Sequence, residues 1–471
     1  MNITPEASTA PDLIGEDQQL TLTATDYSLV TDLYQLTMAA CYVGENLDGR
    51  RASFELFTRR LPEGFGYLIA MGLSQALDYL AHLKFTPTQI DALKACEIFT
   101  HAPAQFWEVL AAGQFTGDVW AVAEGTAVFA NEPLLRVEAP LWQAQIVETF
   151  LLNTLNYQSL IATRAARMRD IAGLSAQLLE FGTRRAFSPQ ASVWAARAAI
   201  AGGLNSTSNV LAALKLGRQP AGTMAHALVM ALATLEGEEM DAFRAFHRYF
   251  PGAPLLIDTY DTVAAAEQLA EKIKTGEMHC HGVRLDSGDL VAISQQVRSL
   301  LPDVKIFASG DIDEWEIARL KAAGAEIDGY GIGTKLVTGQ PVNGVYKLVE
   351  IDDYPVMKES SGKVTYPGRK QIYRDFQQGK IQSDYLALAN EDEHHKFKHL
   401  MPLMKLVMQH GKRIQPVETL DAIAQRTAAT VATLPEATRR FDQPISPSIQ
   451  LSEALQKLIR ARNSKLISNP I

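Results

Sequence analysis

Between Ser175 and Thr338, short apolar runs alternate with helix-length stretches, and each apolar run breaks off in a Gly-rich turn that carries a His, an Arg or a carboxylate. L-L-E-F-G-T-R-R closes on Arg184 and Arg185, A-G-T-M-A-H on His226, and P-L-L-I-D-T-Y-D on Asp258 and Asp261. G-V-R-L-D-S-G-D closes on Asp286 and Asp289, K-I-F-A-S-G-D on Asp311, and I-D-G-Y-G-I-G-T on Thr334. The last four runs begin near Leu255, His281, Lys305 and Ile327, and the gaps, such as Asp261 to Lys274 and Ile312 to Ala323, have helix length. This alternation predicts parallel strands joined by helical crossovers. In a closed or nearly closed barrel of such units the loops after the strands share one face, so the polar turns are expected to converge.

The pattern differs on either side of this section. From Asp26 to about Pro140, helical segments such as Leu73 to Leu83 and Thr88 to Phe99 mix with strand-like F-E-L-F and D-V-W-A-V-A, and a helix is expected from about Leu141 to Ala172. After Gly339 the crossovers stop, and strand candidates at Val345 to Ile351 and Ser383 to Leu388, with a turn at Pro367-Gly368, suggest an antiparallel region. The expected divisions are a flexible tail at 1–24, an N-terminal part at 25–145, a barrel at 146–339, a C-terminal part at 340–430 and an appendage at 431–471. Whether the two flanking parts pack together is left open by the pattern alone.

Composition narrows the class. The chain has 471 residues, 47% of them hydrophobic and 21% charged, with a formal net charge of -9, which fits a large globular core and gives no bulk-charge argument for nucleic-acid binding. Three scattered cysteines, Cys41, Cys96 and Cys280, point to a reducing compartment and hence the cytoplasm. The polar, acidic start lacks the basic and apolar runs of a signal peptide, and even Ala191 to Leu204 is interrupted by Arg197 and paired glycines, so no membrane association is expected.

Asp258 and Asp286, at the ends of neighbouring strands, suit a divalent cation on a phosphorylated substrate, or a cation developing between them. The glycines of S-G-D (309–311) and G-Y-G-I-G-T (329–334) expose backbone N–H groups of the kind that cradle phosphate. Arg184, Arg185 and Arg284 are suited to a phosphate or carboxylate, and Phe181 offers a face to a flat ring. Plainer readings stand beside these. A Gly after a strand turns the chain, Asp261 and Asp311 have the residue type of helix caps, and His226 fits an ordinary histidine at a helix start. H-C-H at 279–281 lacks clustered partners for zinc, and His394-His395 lies in a charged stretch. No G-x-x-x-x-G-K-[ST] occurs, which excludes a Walker loop.

Several strings in fixed order carry a resemblance: T-D-L-Y-Q-L-T-M (31–38), F-E-L-F-T-R-R-L-P (54–62), E-G-T-A-V-F-A-N-E-P-L-L-R-V (124–137) and L-L-E-F-G-T-R-R (178–185). S-N-V-L-A (208–212), A-G-T-M-A-H (221–226), I-D-T-Y-D (257–261), G-V-R-L-D-S-G-D (282–289) and Y-P-G-R-K-Q (366–371) continue it. From about Asp26 to Gln371 the chain closely resembles the nicotinate phosphoribosyltransferases. The resemblance implies a type II phosphoribosyltransferase fold: an irregular TIM-like α/β barrel plus a discontinuous α+β domain formed by N- and C-terminal segments, assembled as a homodimer with shared active sites. It implies transfer of phosphoribose from phosphoribosyl pyrophosphate to nicotinate, with magnesium as cofactor and ATP as co-substrate.

By the same resemblance Phe181 stacks on the pyridine and Tyr34 of the partner subunit covers its other face, while Arg184 and Arg284 handle charged groups on nicotinate and the phosphoribosyl donor; Arg185 joins them by position. Asp258 and Asp286 position ribose, magnesium and pyrophosphate, and Gly310, Gly331 and Gly333, with Ser309, Asp311 and Thr334, hold the ribose phosphate. His226 matches the family's phosphorylated histidine. Ser206 and Thr207 belong to L-N-S-T-S-N-V (204–210), where the related nicotinamide enzyme carries an acidic residue; none is present here, which favours an anionic ring substituent. Nicotinamide phosphoribosyltransferase and a non-catalytic sugar-phosphate-binding relative stay as alternatives; a Schiff-base lyase would need a strand lysine, and Lys305 and Lys335 lie near strand ends but neither sits in a recognisable setting.

Overall fold

The computed structural model describes residues 20, 22–360, 363–391 and 397–468. Most of the expected tail at 1–24 and the His394-His395 pair fall outside them.

Six parallel strands form one sheet in the order Ser206–Thr207, Gln177–Glu180, Gly329–Ile332, Lys305–Ser309, Gly282–Leu285, Leu255–Leu256. Its strands read as continuous apolar runs because helices cover the outside and side chains fill the inside. Ile306, Ala308, Val283, Leu285 and Ile332 are fully buried. The two outermost strands do not pair with each other. Beside Ser206–Thr207 runs the segment 221–225, whose Ala221 N–H donates to the Thr207 carbonyl at 2.8 Å and whose Met224 carbonyl accepts from the Arg284 side chain at 2.9 Å. This segment leads to His226.

The crossover helices start where a side chain can satisfy free backbone N–H groups. Asp261 caps Thr262–Lys274, Asp289 caps Leu290–Leu300, and Asp313, not Asp311, caps Glu314–Ala322.

The second layer is a seven-stranded sheet ordered Tyr354–Pro355, Gly344–Ile351, Arg51–Thr58, Pro133–Pro140, Asp118–Val122, Met404–Gln409, Lys412–Arg413. Strands from before the barrel occupy its centre and strands from after it occupy both flanks, so the α+β domain is discontinuous. The 25-residue helix Glu148–Ala172 leads from this domain into the barrel. Two large apolar cores result, one within the barrel and its helices and one under the antiparallel sheet, with a small third cluster at Tyr373, Ala387, Phe397 and Leu400.

The described part of 431–471 corrects the expectation of an appendage. Ser448–Leu451 pairs in parallel with Lys380–Leu388, Leu434 and Leu455 are fully buried, and Arg439 grips Asp170 on the long helix. The apolar residues spaced through this stretch had a core to reach. No helix among the described residues is long and apolar enough to cross a membrane.

Candidate active site

At the end of the strand Gln177–Glu180 the chain turns at Phe181, whose N–H donates to the Ile332 carbonyl at 2.7 Å on the neighbouring strand. Its ring lies over Gly331, where a Cβ would stand 2.6 Å from ring carbons, so only glycine leaves the ring in place. The Arg284 guanidinium sits 6.0 Å from the ring centroid. With Gln177, Leu179, Thr223, Pro254 and Phe307, these residues line a cavity of about 240 Å³. Arg284 is held by the Thr223 hydroxyl at 3.4 Å and the Met224 carbonyl at 2.9 Å, while its buried Nε has no partner. Burial pushes the guanidinium pKa below its ordinary value, against the opposing pull of Asp286 and Asp258. An aromatic face beside a half-buried cation with a spare N–H suits a flat anionic ring.

The carboxylates stand next to this slot. Asp258 accepts from the Asp286 N–H at 2.7 Å and the Ser287 hydroxyl at 2.8 Å through Oδ2, whereas its buried Oδ1 has no partner. Asp286 is exposed and accepts from the Ser309 hydroxyl. Glu239 lies near enough to feel both Asp258 and Asp261; burial first, then those two charges, raises its carboxyl pKa to about 7. An unpartnered buried carboxylate oxygen beside an exposed carboxylate is a donor set that fits a hard cation such as magnesium. Among the described residues no three His, Cys, Asp or Glu side chains form a complete metal cluster, His279 to His281 included, so such a cation needs further oxygens from a substrate.

His226 opens the helix His226–Glu236 and sets its Nδ1 3.1 Å from the Thr259 hydroxyl, one residue beyond Asp258. Gly310 has a φ of +92°, and a Cβ there would lie 2.6 Å from the Asp286 carbonyl; Asp311 follows in the same exposed turn with a φ of +49°. Gly333 precedes the short helix Thr334–Val337 and packs on the Phe181 carbonyl. Arg184 and Arg185 are exposed in the turn after Phe181, with Arg184 close enough to act electrostatically on Arg284.

Three sequence-nominated residues stand apart. Ser206 spends its hydroxyl on the Gln219 carbonyl at 3.2 Å. Thr207, expected to touch substrate, is buried and donates its hydroxyl to Glu180, so it holds the site together instead. Tyr34 is 48% exposed at the start of the helix Leu33–Gly44 and does not line the cavity of its own chain.

Models of the nicotinate phosphoribosyltransferase (NAPRTase) N-terminal domain, family and C-terminal domain match residues 29–156, 176–375 and 393–459. The chain belongs to the nicotinate phosphoribosyltransferase family. It is 38% identical over 450 residues to a nicotinate phosphoribosyltransferase of Mycobacterium tuberculosis, covering 92% of this chain and 94% of that one. The Bacillus subtilis nicotinate phosphoribosyltransferase is 43% identical over 383 residues, 77% of this chain and 76% of the relative. The crystal structure of human nicotinic acid phosphoribosyltransferase superposes with a TM-score of 0.80 at 30% identity, over 92% of this chain and 99% of that one.

Within the family frame, the geometry adds residues that the strings did not single out: Glu180, Thr223, Thr259 and Ser287. Each sits inside or beside a quoted string, yet each acts through a partner distant in sequence, such as Thr259 on His226. Only the acid ending an otherwise apolar strand, Glu180, left a usable signal.

Proposed function

We propose that the protein transfers phosphoribose from phosphoribosyl pyrophosphate to nicotinate, forming nicotinate mononucleotide and pyrophosphate for NAD salvage in the cytoplasm. The observation that carries this reading is the junction of two half-sites: the Phe181–Arg284 slot for a flat anion opens beside Asp258, whose Oδ1 is buried and unpartnered. Family membership supports it independently.

Phe181 stacks on the pyridine while Arg284 and Arg184 draw in its carboxylate. The ring nitrogen already bears a lone pair, so no strong base is required; the barrier lies in breaking the anomeric bond as positive charge grows on the ribose. Asp258 and Asp286 face that charge, which is where preorganised carboxylates lower a barrier. Magnesium, bound by the same two residues and the pyrophosphate, would neutralise the leaving group. The turns at Ser309, Gly310 and Asp311 and at Gly333 and Thr334 offer backbone N–H groups to the ribose phosphate, whereas Gly331, inside the strand Gly329–Ile332 and under the Phe181 ring, shapes the base slot instead.

ATP coupling enters through His226. Its imidazole takes the γ-phosphoryl group of ATP, an N–P bond forming as the bond to ADP breaks, and the phosphohistidine is hydrolysed later in the cycle. Thr259 holds the ring during these steps. A homodimer completes the site: Tyr34 is exposed away from its own cavity, and Val210, Leu211 and Leu214 form an exposed apolar stripe on the helix after Asn209.

The test is incubation of the full-length protein with nicotinate, phosphoribosyl pyrophosphate, magnesium and ATP, quantifying mononucleotide and ADP, with nicotinamide in parallel. Mononucleotide with matching ADP, and little from nicotinamide, is the expected result. Product from nicotinamide alone would replace the substrate; none from either base would favour a binding protein.

A further inference from the structure

Glu180 is 1% exposed and ends the strand Gln177–Glu180. Because strand side chains alternate, Gln177 and Leu179 line the cavity while Glu180 points away from it. Its carboxylate has neutral donors only: the Gly182 N–H on one oxygen and the Thr207 hydroxyl on the other. A buried carboxylate without a cation is costly, and burial raises its pKa although both bonds oppose that shift. An apolar side chain would fill this position at lower cost.

What the carboxylate does is join two turns. One is Phe181–Arg185, beginning at Gly182, which packs so closely that a Cβ there would meet Val337 at 2.4 Å and Glu180 at 2.9 Å. The other is Thr207–Asn209: Ser208 N–H donates to the Glu180 carbonyl at 2.9 Å, and Asn209 N–H donates to the Thr207 hydroxyl at 2.9 Å. Asn209 in turn caps the helix Val210–Lys215 through the Ala212 N–H at 3.0 Å. Every link from Glu180 to that helix is a hydrogen bond to a group of fixed position.

We propose that Glu180 is a positioning residue for the aromatic base, tying the turn after Phe181 to Thr207 through Gly182 so that the Phe181 ring keeps its place in the cavity wall. This rests on the phosphoribosyl-transfer reading. Glu180 does not line the cavity, and the turns assigned above to the ribose phosphate are others, so its loss is expected to act on the base.

The test compares Glu180→Gln, Thr207→Val and Thr207→Ser with the wild type in the full chain. Gln turns an N–H toward one of the two donors, and Val removes a donor from a buried carboxylate. Each is expected to raise the KM for nicotinate about tenfold, the worth of one hydrogen bond to a charged group. The kcat and the KM for phosphoribosyl pyrophosphate should stay within about twofold, since uniform ground-state binding is what is lost. Thr207→Ser, which keeps the hydroxyl, should behave as wild type. An unchanged nicotinate KM in both Glu180→Gln and Thr207→Val, or a parallel loss in both KM values and in Tm, would overturn the proposal. Calorimetry with nicotinate separates the two readings: a wild type that binds nicotinate without turnover still ranks the variants, and one that neither binds nor reacts sinks both.

Discussion

The two oxygens of Asp258 are in unlike states, and this makes the residue testable without breaking the fold. Oδ2 is committed to Asp286 N–H and Ser287, whereas Oδ1 is buried and open. Asp258→Asn keeps an acceptor for the committed bonds and removes the charge aimed at the substrate. We expect kcat to fall by about a hundredfold to a thousandfold, the typical cost of one electrostatic partner in a transition state. Thermal stability should hold or rise, because an unsatisfied buried charge is relieved; steady-state kinetics and a melting curve on one preparation decide it. At this scale the sequence was informative wherever a chemical group ends a strand, as at Asp258, Asp286 and Arg284. It was silent where a group's role depends on a distant partner. Thr207 reads as a free hydroxyl, and only the fold brings it to Glu180, 27 residues away.

Turns, rather than strands, set the spacing of these groups, and two glycines in them fail in different ways when substituted. At Gly331 the backbone is ordinary strand and the obstacle is the Phe181 ring, 2.6 Å from an added Cβ. Gly331→Ala should therefore displace the ring and raise the nicotinate KM by about tenfold or more, as overpacking of roughly 1–3 kcal/mol implies, with phosphoribosyl pyrophosphate binding retained. At Gly310 the φ of +92° and the Asp286 carbonyl at 2.6 Å leave no room to relax. Gly310→Ala should cost about 1–3 kcal/mol of stability and weaken phosphoribosyl pyrophosphate binding instead. Urea denaturation and separate KM measurements distinguish the pair; equal effects on both substrates in both variants would refute the assignment of one turn to each ligand. The crossovers from Leu255 onward were readable because apolar runs and helix-length gaps alternate there. The outermost strands were not: Ser206–Thr207 and Leu255–Leu256 have two residues each, and the segment 221–225 beside the first is not a strand. Its position follows from bonds to Thr207 and Arg284 that no local pattern encodes.

At the scale of the molecule, the long strings outside the barrel turn out to be joints between distant parts of the chain. Glu132, within E-G-T-A-V-F-A-N-E-P-L-L-R-V, is 1% exposed and lies against Asp384 and Arg374 of the C-terminal hairpin, while its Oε2 accepts from the Phe129 N–H at 2.7 Å. Arg374 is already engaged by Asp384, with Nη2 to Oδ2 at 2.6 Å, so one cation serves two carboxylates. Burial, and then the Asp384 charge, raise the Glu132 carboxyl well above the usual range, and its Oε1 is buried without a hydrogen-bond partner. A folded-state pKa raised above the unfolded one gives stability that is complete below the unfolded value, about 4.3, and is lost as pH climbs through the folded value. Glu132→Gln keeps an acceptor for the Phe129 N–H but cannot ionise. The stability of the variant minus that of the wild type should therefore grow with pH across that window, with a limiting slope of about 1.4 kcal/mol per pH unit for one proton. Urea denaturation of both proteins at pH 5, 7 and 9 measures this difference directly. A flat difference would mean that Glu132 ionises as readily in the folded chain as in the unfolded one, and that the joint between the two ends is held by the Arg374–Asp384 pair alone.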